Sequence, residues 1–164
     1  MSLYIHIFAS LPSIASLNLL SFHTITAGTI PTELFQLVNL RRLLLRNNTD
    51  LIGSIPSQIG QLQSLASFSV YNCTISGSLP SEIGKMSILR NLNVARNSMT
   101  GTIPKEISNL ANIETMYLFN NNLGGAVDEQ MCGLRDINGG SAYVLWVDCD
   151  LECSCCTHCE RWNQ

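Results

Sequence analysis

The chain has 164 residues, 13% of them charged, and a formal net charge of −3. That length buries a real core and suits one compact domain. The mild acidity excludes a general nucleic-acid binder, which carries a basic excess.

The chain opens on MSLYIHIFASLPSIASLNLLSF, which is uncharged and fairly apolar. It lacks the Lys or Arg that precedes the apolar stretch of a secretory signal. Pro12, Asn18 and several serines interrupt the roughly 20 apolar residues that a membrane span needs. Residues 1–27 are expected to be a degenerate first repeat or a start that omits a longer leader. Membrane association would then come only through a segment at or ahead of that start.

From Gly28 the chain repeats itself. Gly-x-(Ile/Leu)-Pro recurs as GTIP at Gly28, GSIP at Gly53, GSLP at Gly77 and GTIP at Gly101. A fifth copy, GAVD at Gly125, has lost its proline. Upstream of these strings runs L-x-x-L-x-L-x-x-(N/C)-x-L: Leu65, Phe68, Val70, Cys73, Ile75, then Leu89, Leu92, Val94, Asn97, Met99, then Ile113, Met116, Leu118, Asn121, Leu123. Leu40, Leu43, Leu45, Asn48 and Leu51 fit with one inserted residue. The strings are spaced by 25, 24, 24 and 24 residues, and a period of about 24 residues identifies a solenoid.

Each position has a physical reason. Leu-x-Leu alternation makes a short strand with one buried face, and strands of successive repeats stack in parallel about 4.8 Å apart. Asn pairs backbone groups where the chain leaves the strand. Gly permits the turn, and Pro ends the segment before a short helical piece such as Ser57 to Leu62. No repeat buries its own apolar face, so stability comes from neighbours and the ends need caps.

With L-x-x-L-x-L-x-x-N-x-L-x-G-x-I-P as the matching motif, over about Gly28 to Leu134, the chain resembles plant-type extracellular leucine-rich repeat proteins. Its tail, GLRD followed by a short apolar stretch and DCDLECSCCTHC, is similar to C-terminal caps of leucine-rich repeat proteins from diatoms. The resemblance implies an α/β solenoid, a right-handed superhelix with a short parallel sheet on the concave face and 3-10 or short helices on the convex side. It implies a secreted or cell-surface location and recognition of partners. The expected division is repeats over residues 28–134 and a cysteine-rich cap over 135–164.

Outward strand residues form the concave face, the usual binding surface of solenoids. They fall in columns: Arg41, Ala66, Arg90, Glu114; then Arg42, Ser67, Asn91, Thr115; then Leu44, Ser69, Asn93, Tyr117; then Arg46, Tyr71, Ala95, Phe119; and, at the strand exit, Asn47, Asn72, Arg96, Asn120. Five of the nine basic residues lie on this face, against the single acid Glu114. Glu33, Glu82 and Glu106 follow the Pro turns toward the opposite side. Arginine and tyrosine are enriched at binding hot spots, and arginine suits carboxylates and phosphates. The expected ligand is an acidic protein segment or an anionic polysaccharide, held by Arg42, Arg46, Tyr71, Arg90, Arg96, Tyr117 and Phe119. A solvated strand face that tolerates arginine is the bland alternative. Two sequons, Asn47-Asn48-Thr49 and Asn72-Cys73-Thr74, make Asn47 and Asn72 glycosylation candidates on the same face.

No catalytic constellation is present: His6, His23 and His158 are far apart in a linear solenoid, and no Gly-x-Ser-x-Gly, HExxH or phosphate loop occurs. The chain is not expected to be an enzyme, and no cofactor is implied. Cys73 sits on the ladder position, where a small buried residue is expected rather than a reactive thiol. The cysteines of the tail, with Cys132, admit disulfides, a zinc site built from Cys153, Cys155, Cys156 and Cys159, or free or acylated thiols. Four zinc ligands within seven residues leave little freedom for a tetrahedron, and Cys132 and Cys149 would have no role. Cys132, Cys149, Cys153, Cys155, Cys156 and Cys159 are therefore read as disulfide candidates, without an assigned pairing. Ser141 to Asp148 is β-prone and is expected to close the last repeat, clamped by a bridge from Cys132 worth roughly 2–4 kcal/mol. The expected role is extracellular protein recognition. A secreted enzyme inhibitor and a passive cell-wall component are the alternatives.

Overall fold

The computed structural model describes residues 15–18, 28–134 and 144–160. Most of the leader expectation and Tyr143 lie outside them. Among the described residues, each repeat contributes one strand to a long parallel sheet on the concave face. That sheet runs β1 (Ser16–Asn18), β2 (Arg42–Leu44), β4 (Ser67–Ser69), β6 (Asn91–Asn93), β8 (Thr115–Tyr117), β10 (Val144–Asp148) and β11 (His158–Glu160) in this order. A second parallel sheet holds β3 (Ile52–Gly53), β5 (Thr74–Gly77), β7 (Ser98–Thr102) and β9 (Asn122–Gly124).

The alternating apolar positions decide which way each strand faces. Leu43, Phe68, Leu92 and Met116 pair in register across the sheet and are buried, and Leu145 continues their column. Leu40, Leu65, Leu89 and Ile113, with Leu51, Ile75 and Met99, fill the same core. Each such side chain contributes about 1.5–3 kcal/mol when fully buried. Leu17 of β1 is buried too, so the core begins before the first Gly-x-Ile-Pro string.

The convex side carries short 3-10 helices: η1 (Thr32–Gln36), η2 (Ser57–Gln61), η3 (Ser81–Lys85) and η4 (Lys105–Asn109). The prolines just before them stay extended, at φ near −70° and ψ between 135° and 149°, and turn the chain into the helix. The fifth copy has Asp128 at that place. Its side chain accepts from the Gln130 N–H at 2.7 Å, and the element that follows is a four-residue α-helix, α1 (Glu129–Cys132).

Close stacking of η3 on η4 requires Gly84, because a Cβ there would stand 2.2 Å from the Glu106 carbonyl oxygen. At the equivalent place in η4 stands Ser108, whose hydroxyl donates to the Lys105 carbonyl. Glutamates 33, 82 and 106 sit in the first turns of these helices, away from the concave sheet. Among the described residues, no helix is long and apolar enough to cross a membrane.

Candidate functional site

The concave sheet aligns its outward residues as the repeat spacing predicts. Arg42, Ser67, Asn91, Thr115 and Val144 share one register row, and Leu44, Ser69, Asn93, Tyr117, Trp146 and His158 share the next. The strand exits are fixed by the ladder residues. Asn97 Nδ2 donates to the carbonyls of Val70, Val94 and Ala95, and Asn97 Oδ1 accepts the Ile75 N–H. Asn121 repeats this pattern one turn on, toward Val94, Leu118 and Phe119. Cys73 holds the same position, with its thiol toward the Leu45 carbonyl at 3.1 Å. Burial raises its pKa, opposed in part by the Asn48 N–H, so the thiol stays protonated and unreactive.

Beside each ladder residue the chain takes a left-handed backbone, at Asn47 (φ 59°), Asn72 (φ 55°), Arg96 (φ 57°) and Asn120 (φ 55°). Asparagine accepts this conformation readily. Arginine does not, and the cost is roughly 1–2 kcal/mol for an ordinary side chain. The Arg96 guanidinium lies over the Tyr71 ring, 5.8 Å from its centroid.

The seven candidate recognition residues separate by environment. Arg42 and Arg96 are exposed; Arg46, Tyr71 and Tyr117 are half-buried. Arg46 Nε is enclosed and, among the described residues, has no hydrogen-bond partner. Arg90 is ion-paired with Glu114 of the next strand, which neutralises it locally. Phe119 is only 9% exposed, because the Trp146 ring packs on it at 4.9 Å, so Phe119 supports the surface rather than presenting itself. The two sequon asparagines touch: Asn72 Nδ2 donates to Asn47 Oδ1 at 3.1 Å.

The cap adds two residues that column counting over the repeats did not reach. Trp146 lies beside Tyr117, with centroids 6.1 Å apart, and His158 lies beyond Trp146 at 5.2 Å. They continue the Tyr117 row. The alternation in Val144–Asp148, read in phase with β8, is the signal that would have placed Trp146 outward. Asp148 ends the same strand. Its carboxylate accepts the Asn120 N–H at 2.6 Å and the Asn121 N–H at 3.2 Å.

The six tail cysteines form three disulfides: Cys132–Cys155, Cys149–Cys159 and Cys153–Cys156. Cys132 thus ties α1 of the last repeat to the tail, and neighbouring Cys155 and Cys156 take different partners. Among the described residues, no group of three His, Cys, Asp or Glu is arranged to hold a metal.

Residues 64–86 and 89–110 match the family profile described as Leucine Rich Repeat. The fold is a leucine-rich repeat solenoid. The chain is similar to the leucine-rich repeat ectodomain of the plant membrane receptor kinase GASSHO1/SCHENGEN3 from Arabidopsis thaliana, solved in complex with CASPARIAN STRIP INTEGRITY FACTOR 2. The likeness has 31% identity and a TM-score of 0.73, over 88% of this chain and 16% of that one. It is similar to the Arabidopsis thaliana BIR3–SERK2 complex at 26% identity and a TM-score of 0.60, over 82% of this chain and 64% of that one. A plant ice-binding protein aligns at 27% identity and a TM-score of 0.63, over 82% of this chain and 40% of that one. The chain thus spans less than two thirds of the length of each of these three. No curated protein matches it.

Proposed function

We propose that this solenoid is an extracellular or cell-surface recognition module that binds a protein segment on its concave face. The observation that carries the reading is the composition of that one open sheet. Exposed or half-buried Arg41, Arg42, Arg46 and Arg96 stand on it beside Tyr71, Tyr117 and Trp146, while the glutamates of the 3-10 helices face elsewhere. Arginine with aromatic rings is hot-spot chemistry, and two of the similar structures are complexes, one of them of a leucine-rich repeat ectodomain with its partner. Three disulfides suit an oxidising compartment. A glycan on Asn47 or Asn72 would stand beside Tyr71 and narrow access to that end of the face.

The test uses arrays of acidic peptides and anionic glycans, probed with the wild type and with the triple variant Arg42→Glu, Arg46→Glu, Arg96→Glu. The expected result is retention on acidic peptides by the wild type and its loss in the triple variant. Equal retention of the two proteins on every feature contradicts the reading. Retention on glycans alone would move the ligand to an anionic polysaccharide.

A second reading concerns the other sheet. Its strands carry the exposed hydroxyl residues Thr74, Ser76, Ser98, Thr100 and Thr102, with Asn122 and the apolar Ile52 exposed among them. Ser76 and Ser98 are register partners about 4.8 Å apart, whereas Thr74 pairs with Ile52 and Thr100 with Asn122. Such an uncharged, hydroxyl-bearing face suits contact with ordered water, and one structural neighbour is a plant ice-binding protein. Thermal hysteresis in the wild type that disappears in Ser76→Tyr, Thr100→Tyr supports this reading. Ice growth unaffected by the wild type excludes it.

A further inference from the structure

The concave sheet is not uniform along the solenoid axis. Its first full repeat supplies Arg41, Arg42 and Arg46, of which Arg41 and Arg42 are exposed. The middle is polar and holds fewer arginines: Ser67, Asn91 and Asn93 lie there, Arg90 is ion-paired with Glu114, and Arg96 lies over the Tyr71 ring. At the far end stand three side-chain rings, from three consecutive strands, in one register row. Tyr117, Trp146 and His158 are spaced at 6.1 and 5.2 Å, tilted by 56° and 39° to their neighbours, and half-buried or exposed. Phe119 props Trp146 from the side. No described basic residue lies in β8 or β10, and the acids Asp148 and Asp150 close that end.

From this asymmetry we infer that the concave face takes an extended acidic peptide segment in a fixed polarity across the strands. Acidic residues lie over the Arg41, Arg42 and Arg46 end, and an aromatic residue stacks on the Tyr117–Trp146–His158 platform. The inference rests on the recognition reading above and adds to it the ligand's pattern and direction. Charge fixes the direction: the arginines attract an acidic end, and no described Lys or Arg of β8 or β10 competes for it. Spacing fixes the pattern. From β2 to β10 is four strand spacings, about 19 Å, which about six extended residues span. The rings gain specificity because offset aromatic contacts add to plain area burial. Arg96 fits the same scheme. It occupies a left-handed position that asparagine fills in the other three repeats, and it stands between the two ends with its guanidinium on Tyr71. Backbone held in an unfavourable region marks positions kept for a task. The platform also explains why the cap contributes strands to this sheet rather than only covering the core.

The experiment uses synthetic peptides that carry three glutamates at one end and a phenylalanine about six residues away. Both sequence orders are made, together with versions in which phenylalanine is replaced by alanine or moved next to the glutamates. Binding is read from Trp146 emission in a Trp162→Phe background and from calorimetry. The expected result is that one order binds, and that loss of phenylalanine weakens binding about tenfold. Trp146→Leu, and the surface variant His158→Ser, which leaves the core untouched, each weaken the phenylalanine peptide. Neither weakens the alanine peptide further. The inference is overturned if the phenylalanine effect is the same with and without Trp146 and His158, if its position is immaterial, or if only sulfated or uronic-acid glycans bind. Binding that depends on Arg42 and Arg46 but not on the platform overturns the inference and leaves the recognition reading standing. Peptide binding indifferent to Arg42→Glu and Arg46→Glu overturns both.

Discussion

The Asp148 carboxylate accepts the Asn120 N–H at 2.6 Å, at the point where a further repeat would have offered a backbone carbonyl. One repeat earlier, the equivalent Arg96 N–H donates to the Phe119 carbonyl at 3.0 Å. The side chain thus finishes a ladder that the main chain leaves open, and it takes the Asn121 N–H as well. Burial raises the Asp148 pKa above the usual carboxylate range. The two N–H groups oppose that rise, and nearby Asp150 adds to it.

Asp148→Ala leaves the buried Asn120 N–H and the part-buried Asn121 N–H without this acceptor and is expected to cost about 1–3 kcal/mol in denaturant unfolding. The pH dependence has a definite sign. Because the folded-state pKa lies above the unfolded value, the folded chain holds this proton more tightly. Its contribution to stability is fully present below the unfolded pKa, near 3.9, and is lost as pH rises through the folded value. Relative to Asp148→Asn, which does not titrate, the wild type should be most stable at low pH and lose ground from about pH 4 upward. A difference that is flat or rises with pH refutes this.

Arg96 carries the left-handed backbone at a cost. Arg96→Asn and Arg96→Ala both remove the contact with Tyr71, but only asparagine eases the backbone. The asparagine variant should be more stable than the alanine variant by roughly 1 kcal/mol, read from thermal or denaturant midpoints. Equal stabilities would remove strain from the account of this residue.

Gly84 and Gly124 make a matched pair. A Cβ at Gly84 meets the Glu106 backbone at 2.2 Å, whereas one at Gly124 meets nothing within 4 Å. Gly84→Ala should destabilise the stack by roughly 1–3 kcal/mol. Gly124→Ala should be neutral or slightly stabilising, up to about 1 kcal/mol. Similar losses at both sites would contradict the close approach of η3 and η4.

The cysteines divide into one buried thiol and three bridges. Cys73 should react with iodoacetamide only after unfolding, as its burial and raised pKa require. Reduction should add about six mass units, two for each bridge. Cys132→Ala with Cys155→Ala opens a bridge of 23-residue separation and should cost roughly 2–4 kcal/mol. Rapid labelling of the native protein, or an unchanged mass on reduction, refutes the assignment.

Much of this architecture is legible in the sequence, because the repeat converts position into place. Leu43, Phe68, Leu92 and Met116 recur at fixed phase, so their common burial and the outward rows between them follow from counting. The closing strand is legible in the β-prone run ending at Asp148. The cap lies outside the period, and there counting fails. Nothing in the spacing says that β10 continues in parallel beside β8, so the extension of the Tyr117 row to Trp146 and His158 stayed hidden. Nor does spacing choose among the pairings of six cysteines. Outward direction also overstates exposure: Ser69 and Ala95 point from the strand face yet are buried by their neighbours. Phe119 disappears under Trp146 for the same reason.

The central claim is that recognition belongs to the concave arginines and not to charge in general. The direct measurement is calorimetric titration of one glutamate-rich peptide into three proteins: the wild type, Arg42→Glu/Arg46→Glu/Arg96→Glu, and the convex control Lys85→Glu/Lys105→Glu. The account predicts at least about a 100-fold loss of affinity in the concave variant and affinity close to wild type in the convex one. Equal losses in the two variants, or no loss in either, would contradict it.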